Sequence, residues 1–268
     1  MRRRTLLGLP ALGAATLALA GCGDDDGVSD EPTPDGVRRI DYGADPSQYA
    51  ELSLPSGTPR GVVVVVHGGF WRSAYDLSLG RPLAADLVER GWAALNLEYR
   101  RVGNGGGVPE TLDDVRAGIA LLDDAGLDLA RVVTLGHSAG GHLAAWAGHA
   151  VDAVTHVISQ AGVLDLVAAD REGLGDGAAR AFVGHPPSEA DRDVDPAQQL
   201  PLDVPLWCVH GTDDTIVPIS QSLDYVAAAT AAGAEATVVE VAGDHFVVID
   251  PASQAWRETV AILDGIAP

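Results

Sequence analysis

The pentapeptide Gly136-His137-Ser138-Ala139-Gly140 constrains this chain more than any other stretch. Before it runs Arg131-Val132-Val133-Thr134-Leu135, an apolar, β-branched segment that reads as a short buried strand. After it comes Gly141-His142-Leu143-Ala144-Ala145-Trp146-Ala147, which reads as the first turns of an Ala-rich helix. Strand, Gly-x-Ser-x-Gly and helix in that order make a nucleophile elbow, a sharp, strained turn that presents the serine hydroxyl. The flanking glycines let strand and helix approach closely without Cβ clashes. Taken alone, the pentapeptide also fits an ordinary turn whose serine caps a helix, so the rest of the chain has to decide.

That context is an alternation of strands and helices. Val37 to Tyr42 and Gln48 to Leu54 read as two short antiparallel strands, and Gly61-Val62-Val63-Val64-Val65-Val66 as a strand covered on both faces. Helical spacing over Leu77 to Arg90, a strand over Trp92 to Leu97 and a helix over Thr111 to Ala125 lead into the elbow. Beyond it, strands are expected at Val154 to Gln160, Pro205 to Val209 and Ala236 to Val241, and helices at Ser220 to Ala232 and Ser253 to Ile266. This pattern predicts an α/β fold over 37–268 as one domain: a mostly parallel central sheet flanked by helices, with right-handed crossovers. The alternation stops between Gly162 and Pro201, a polar stretch with one helical segment near Gly177 to Gly184. It is expected to be a short cap-like insertion arching over the sheet.

The N-terminus reads differently. Arg2-Arg3-Arg4 is followed by an apolar run within Thr5 to Ala20 that is short for a membrane span. Leu19-Ala20-Gly21-Cys22 resembles the lipobox of bacterial lipoproteins, and Arg3-Arg4-Thr5-Leu6-Leu7 resembles a twin-arginine export signal. The resemblance implies a signal peptide over 1–22, lipidation of Cys22, and attachment at the outer face of the cell membrane through that lipid alone, or secretion if the anchor is not attached. Residues 23–36, acidic and rich in Pro and Gly, read as a solvated tether. The other cysteine, Cys208, lies in an apolar run and is expected to be a buried thiol, so no disulfide is predicted. No Cys/His spacing suggests a metal, and no cofactor is expected. A net charge of −21 argues against a nucleic-acid partner, since little here could neutralise phosphates.

If Ser138 is a nucleophile it needs a base, an acid to orient the base, and donors for an oxyanion. These should lie on loops at the carboxyl ends of the strands, where an open parallel sheet gathers its site. After the strand at Pro205 to Val209 comes His210-Gly211-Thr212-Asp213-Asp214, and Asp214 is the expected acid, with Asp213 and Asp165 as alternatives. His245, in Ala242-Gly243-Asp244-His245-Phe246, follows the last strand and is the expected base. For the oxyanion, the backbone N–H of Ala139 at the helix start is one donor. The loop His67-Gly68-Gly69-Phe70-Trp71 supplies the other, from Gly69 or Phe70. Trp71 and His67 are expected to contact substrate, with Phe70 and the insertion lining the pocket. The substrate read from this set is a small-molecule ester or amide.

The chain order Ser138, Asp214, His245 and the glycine loop together resemble the α/β-hydrolase fold superfamily, specifically its esterase/lipase branch. The loop is similar to the HGG-x-W element of kynurenine formamidases, where it forms the oxyanion hole. Asn96-Leu97-Glu98-Tyr99-Arg100, with Pro109 and Asp114, resembles a further stretch of these hydrolases, in which Tyr99, Arg100 and Asp114 would support the site. The resemblance implies acyl transfer through an acyl-enzyme, with carboxylic esters as the leading substrate class. Arylformamides, other amides, or peptides of the prolyl-oligopeptidase type are the alternatives, and a non-catalytic binding lipoprotein stands behind them.

Overall fold

The five valines Val62–Val66 form a strand buried along its whole length, and the fold is arranged about it. A computed structural model describes residues 36–266; the expected signal peptide, Cys22 and all of the expected tether except Gly36 lie outside them. The described strands are β1 (Val37–Asp41), β2 (Tyr49–Ser53), β3 (Val62–Val66), β4 (Ala93–Leu97), β5 (Val132–His137), β6 (His156–Gln160), β7 (Leu206–Gly211) and β8 (Ala236–Val241). They join in one sheet in the order β1-β2-β4-β3-β5-β6-β7-β8. β2 runs antiparallel to both of its neighbours, and every other pairing is parallel. From β3 the chain steps to β4 on one side and then crosses to β5 on the other. The loops after β3 and β5 therefore flank the point where the strand order reverses, the usual place for a site in an open sheet.

Alternate residues of β3 feed two cores. Val62, Val64 and Val66 pack with helices α2 (Glu110–Ala120), α3 (Ala139–Ala150) and α6 (Ser220–Ala231) through Val115, Leu143 and Tyr225. Val63 and Val65 pack on the opposite face with α1 (Arg81–Glu89) and α7 (Gln254–Ile266) through Leu87 and Trp256. A strand covered on both faces buries every side chain, each contributing on the order of 1.5–3 kcal/mol, and this explains the absence of polar alternation in its sequence. The insertion carries two short helices, α4 (Leu166–Arg171) and α5 (Ala178–Val183). Phe182 of α5 is fully buried in the first core, so this segment is packed down on the domain.

One helix is shorter than its periodicity predicts. Over Leu77 to Arg90 the chain makes a separate turn, Leu77–Leu79, before α1 starts at Arg81. Asn96 on β4 reaches across to donate to the Leu77 carbonyl at 2.9 Å, and Asp76 caps the turn by accepting from Ser78 N at 2.9 Å. The side chain of Asn96 fills the space beside Gly80, and Pro82 suits the first turn of the new helix.

The sharp turn between β5 and α3 depends on Gly136. A Cβ there would collide with the Gly140 carbonyl and reach 2.8 Å from Gly141 N, groups of a helix that cannot yield. Gly136→Ala is expected to cost about 3 kcal/mol or more of stability, read as a lower urea midpoint. A midpoint equal to that of the unsubstituted protein would mean the helix can shift to accommodate the methyl.

Candidate active site

Ser138 is buried and holds φ 56° and ψ −118° between β5 and α3. A non-glycine residue at positive φ is strained, by on the order of 1–3 kcal/mol. The turn is held by Ser138 N, which donates to Gln160 O at 2.8 Å, and by Ser138 O, which accepts from Gly141 N at 2.9 Å. Ala139 opens α3, so its N–H lies among the helix donors that have no carbonyl one turn earlier, at the positive end of the helix dipole.

The loop after β3 lies against this turn. A Cβ on Gly68 would come 2.7 Å from the His137 carbonyl oxygen and 3.1 Å from Ser138 Cβ, so the glycine lets the loop approach the turn this closely. Beyond it Gly69, Phe70 and Trp71 all take positive φ, 113°, 54° and 53°, which rolls the chain back on itself and closes with Arg72 N donating to Gly69 O at 3.0 Å. This roll decides where the side chains go. Trp71 turns inward, is 1% exposed and stacks on Phe182 at 4.6 Å between ring centroids. His67 is likewise buried, stacked on Tyr99 at 4.3 Å. Trp71 and His67, the residues expected to contact substrate, both have buried side chains stacked on protein rings. Phe70 stays partly exposed and meets Gly175 of the insertion, and Arg72 Nη2 donates to the Gly175 carbonyl. Tyr75 lies over Gly69 and is largely exposed.

His245 follows β8, and its Nδ1 donates to Asp214 Oδ2 at 2.6 Å. Asp214 Oδ1 accepts from Ile216 N at 2.8 Å and Val217 N at 2.9 Å. Burial opposes ionisation of Asp214, but hydrogen bonds from His210, His245 and Val217 N outweigh it and hold the carboxyl below its ordinary range. With a carboxylate on Nδ1, the proton sits there and Nε2 is left with a free lone pair. Among the described residues, no protein hydrogen bond engages Ser138 Oγ or His245 Nε2. Among the described residues no hydrogen bond joins the other two candidate carboxylates to His245: Asp213, next to Asp214, is exposed, and Asp165 caps α4 by accepting from Ala168 N at 2.7 Å.

Two histidines that the sequence left in the background complete the surroundings. His210 at the end of β7 places Nε2 2.9 Å from Val217 O and 3.3 Å from Asp214 Oδ2. Its Nδ1 accepts from Ser222 Oγ at 2.7 Å. His137, inside the elbow, donates from Nε2 to the His245 carbonyl at 2.9 Å, its ring 4.5 Å from that of His245. It pins the backbone of His245 from below. Strand periodicity could have found His210, an inward position four residues before Asp214; nothing local in the sequence marks His137. Tyr99, Arg100 and Asp114 make a support behind the loop: Tyr99 donates to His67 O at 2.7 Å, and Arg100 holds Asp114 through two side-chain bonds at 2.8 and 2.7 Å. Among the described residues no cluster of His, Cys, Asp and Glu is arranged to hold a metal ion.

Burial pushes His67 and His137 down to about 3 and His142 to about 4. All three are neutral when folded but take up protons in the unfolded chain below its ordinary imidazole value of ~6.5. Where the unfolded state binds more protons, stability falls as pH falls. The urea midpoint is thus expected to drop steeply from about pH 6.5 down toward pH 4, with uptake approaching about three protons on unfolding. A midpoint flat from pH 7 to 4.5 would contradict the neutral, buried state of these side chains.

The sheet order, the helices on both faces and the elbow after β5 define the α/β-hydrolase fold. Solved structures share it. A truncated carbohydrate esterase from gut microbiota matches with a TM-score of 0.72 at 20% identity, covering 87% of this chain and 98% of that one. Esterase 2 of Thermogutta terrifontis matches with a TM-score of 0.72 at 23% identity, covering 88% and 95%. More particularly, the chain belongs to the BD-FAE family, whose model matches residues 51–228. Among curated proteins it is 29% identical over 220 residues to Esterase LipC of Mycobacterium tuberculosis, covering 70% of this chain and 54% of LipC. It is 34% identical over 116 residues to isoprenylcysteine alpha-carbonyl methylesterase ICME of Arabidopsis thaliana, covering 41% of this chain and 27% of ICME. The chain thus spans about half of LipC and a smaller part of ICME.

Proposed function

We propose that this protein is a serine hydrolase that cleaves carboxylic esters of small molecules through an acyl-enzyme. The observation that carries the reading is the 2.6 Å bond between His245 Nδ1 and Asp214, on the loops that follow the last two strands of a sheet whose β5 ends in a strained, buried serine. In this reading His245 Nε2 takes the proton of Ser138 Oγ as the hydroxyl attacks the ester carbonyl. Asp214 keeps the imidazole proton on Nδ1 and stabilises the imidazolium. The tetrahedral oxyanion is bound by the N–H of Ala139 and by that of Gly69 or Phe70. His245 then protonates the leaving alcohol, and water deacylates Ser138 with the same base. Esterase names among the relatives and fold neighbours support ester rather than amide cleavage.

Apolar side chains at the mouth support an apolar group on the substrate. Phe246, next to the base, is 55% exposed, and Tyr75 over Gly69 is 46% exposed. The test is parallel turnover of p-nitrophenyl esters, N-formylkynurenine and aminoacyl anilides by the purified protein. Ester hydrolysis is expected to be the fastest; a formamide or anilide turned over faster than any ester would replace this reading with the amidase one.

A further inference from the structure

Behind the glycine loop lies a buried ion pair that the proposed acyl transfer does not use. Glu98, just past β4, is 2% exposed and Arg101 is 5% exposed, and Arg101 Nη1 contacts Glu98 Oε1. The same Arg101 nitrogen lies 3.3 Å from His67 Nε2. Glu98 also accepts from Tyr99 N at 3.0 Å and Leu77 N at 2.9 Å. Burying two charges costs desolvation that the pairing need not return, and Arg101 Nε has no partner. As a stabilising device the pair is poor. Its geometry suits another task.

That task concerns the proton of His67. Its Nδ1 lies 2.8 Å from the Gly68 carbonyl, an oxygen that can only accept, so the ring must carry its proton on Nδ1. Nε2 is then an acceptor, facing the Arg101 nitrogen and, at 3.2 Å, a Glu98 oxygen. Two acceptors facing each other repel unless a donor serves them, and Arg101 Nη1, 3.3 Å from His67 Nε2 and in contact with Glu98 Oε1, is within reach of both. Burial, and after it the Arg101 charge, work against a second proton on the ring.

We propose that Arg101, held by Glu98, is a positioning residue that fixes His67 as the Nδ1–H tautomer and thereby orients the Gly68–Gly69 peptide of the oxyanion loop. In a trans peptide the C=O and N–H point in opposite directions. Tying the Gly68 carbonyl to His67 therefore aims the Gly69 N–H away from the buried network. Tyr99, which donates to the His67 carbonyl at 2.7 Å, holds the preceding peptide in the same way. Two successive peptide planes are locked from behind, and Gly69 rather than Phe70 becomes the oriented donor. The inference rests on the acyl-transfer reading above.

The test compares Arg101→Met and Arg101→Lys with the unsubstituted protein on one p-nitrophenyl ester and on a trifluoromethyl ketone, whose adduct with Ser138 carries an oxyanion. Arg101→Met is expected to lower kcat about thirtyfold with KM within about threefold, and to weaken the ketone by a similar factor. Arg101→Lys keeps a charged donor and should recover most of the rate. Nitrogen-15 NMR should show His67 with its proton on Nδ1 and Nε2 bare in the unsubstituted protein, and loss of that state in Arg101→Met, where Nε2 takes up a proton toward Glu98. If Arg101→Met does not fold, His67→Phe removes the Nδ1–H directly while leaving Arg101 on Glu98, and the same loss of kcat is expected. A folded Arg101→Met or His67→Phe with kcat within about twofold of the unsubstituted protein overturns the proposal, as does an unchanged tautomer in Arg101→Met. An unsubstituted protein with no hydrolysis dependent on Ser138 overturns the acyl-transfer reading beneath it as well.

Discussion

Ser138→Ala is expected to reduce ester turnover by about three orders of magnitude or more while leaving the fold intact. The substitution removes only Oγ. Alanine can occupy the same strained turn, because Gln160 O and Gly141 N hold Ser138 through its backbone. Thermal unfolding should therefore shift little, which separates loss of chemistry from loss of structure. Some activity over water is expected to remain, since the oxyanion donors still bind the carbonyl. Turnover within about tenfold of the unsubstituted protein would place the nucleophile elsewhere.

Asp214→Asn is expected to be comparably severe, a drop of about four orders of magnitude in kcat. Oδ1 can still accept from Ile216 N and Val217 N, so the loop keeps its shape. The change falls on the other side of the carboxyl, where His245 Nδ1 lies 2.6 Å away. An amide nitrogen there donates, so the imidazole must accept at Nδ1 and carry its proton on Nε2, where it can no longer take one from Ser138. Steady-state kinetics with one p-nitrophenyl ester measures this. A loss below about tenfold would mean that another carboxylate, Asp213 for instance, can orient the base.

The positions proposed for catalysis were legible because each occupies a place that topology makes special. Ser138, Asp214 and His245 each follow a strand that can be read from its apolar run, and backbone connectivity carries those three loops to one sheet edge. The strand β3 was legible for the same reason, since an unbroken valine run suits a strand covered on both faces. What could not be read depends on contacts between distant parts of the chain. Gly80 ends a periodic helical segment because Asn96 comes up beside it, and no local pattern announces Asn96. Trp71 and His67 were expected at the substrate because they sit in the right loop. Three consecutive positive-φ residues turn the loop over, and stacking partners at Phe182 and Tyr99 receive the rings. The hydrogen bond from His137 to the His245 carbonyl joins residues 108 apart and leaves no mark in the sequence.

The central claim is that Ser138 is the nucleophile and His245 with Asp214 activates it. Its most direct test is reaction of the folded protein with a fluorophosphonate, followed by intact-mass measurement and peptide mapping. One adduct per chain on Ser138 is expected, formed rapidly by the unsubstituted protein, slowly by Asp214→Asn and not at all by Ser138→Ala. An unmodified protein after prolonged exposure, or an adduct on any residue other than Ser138, would contradict the account.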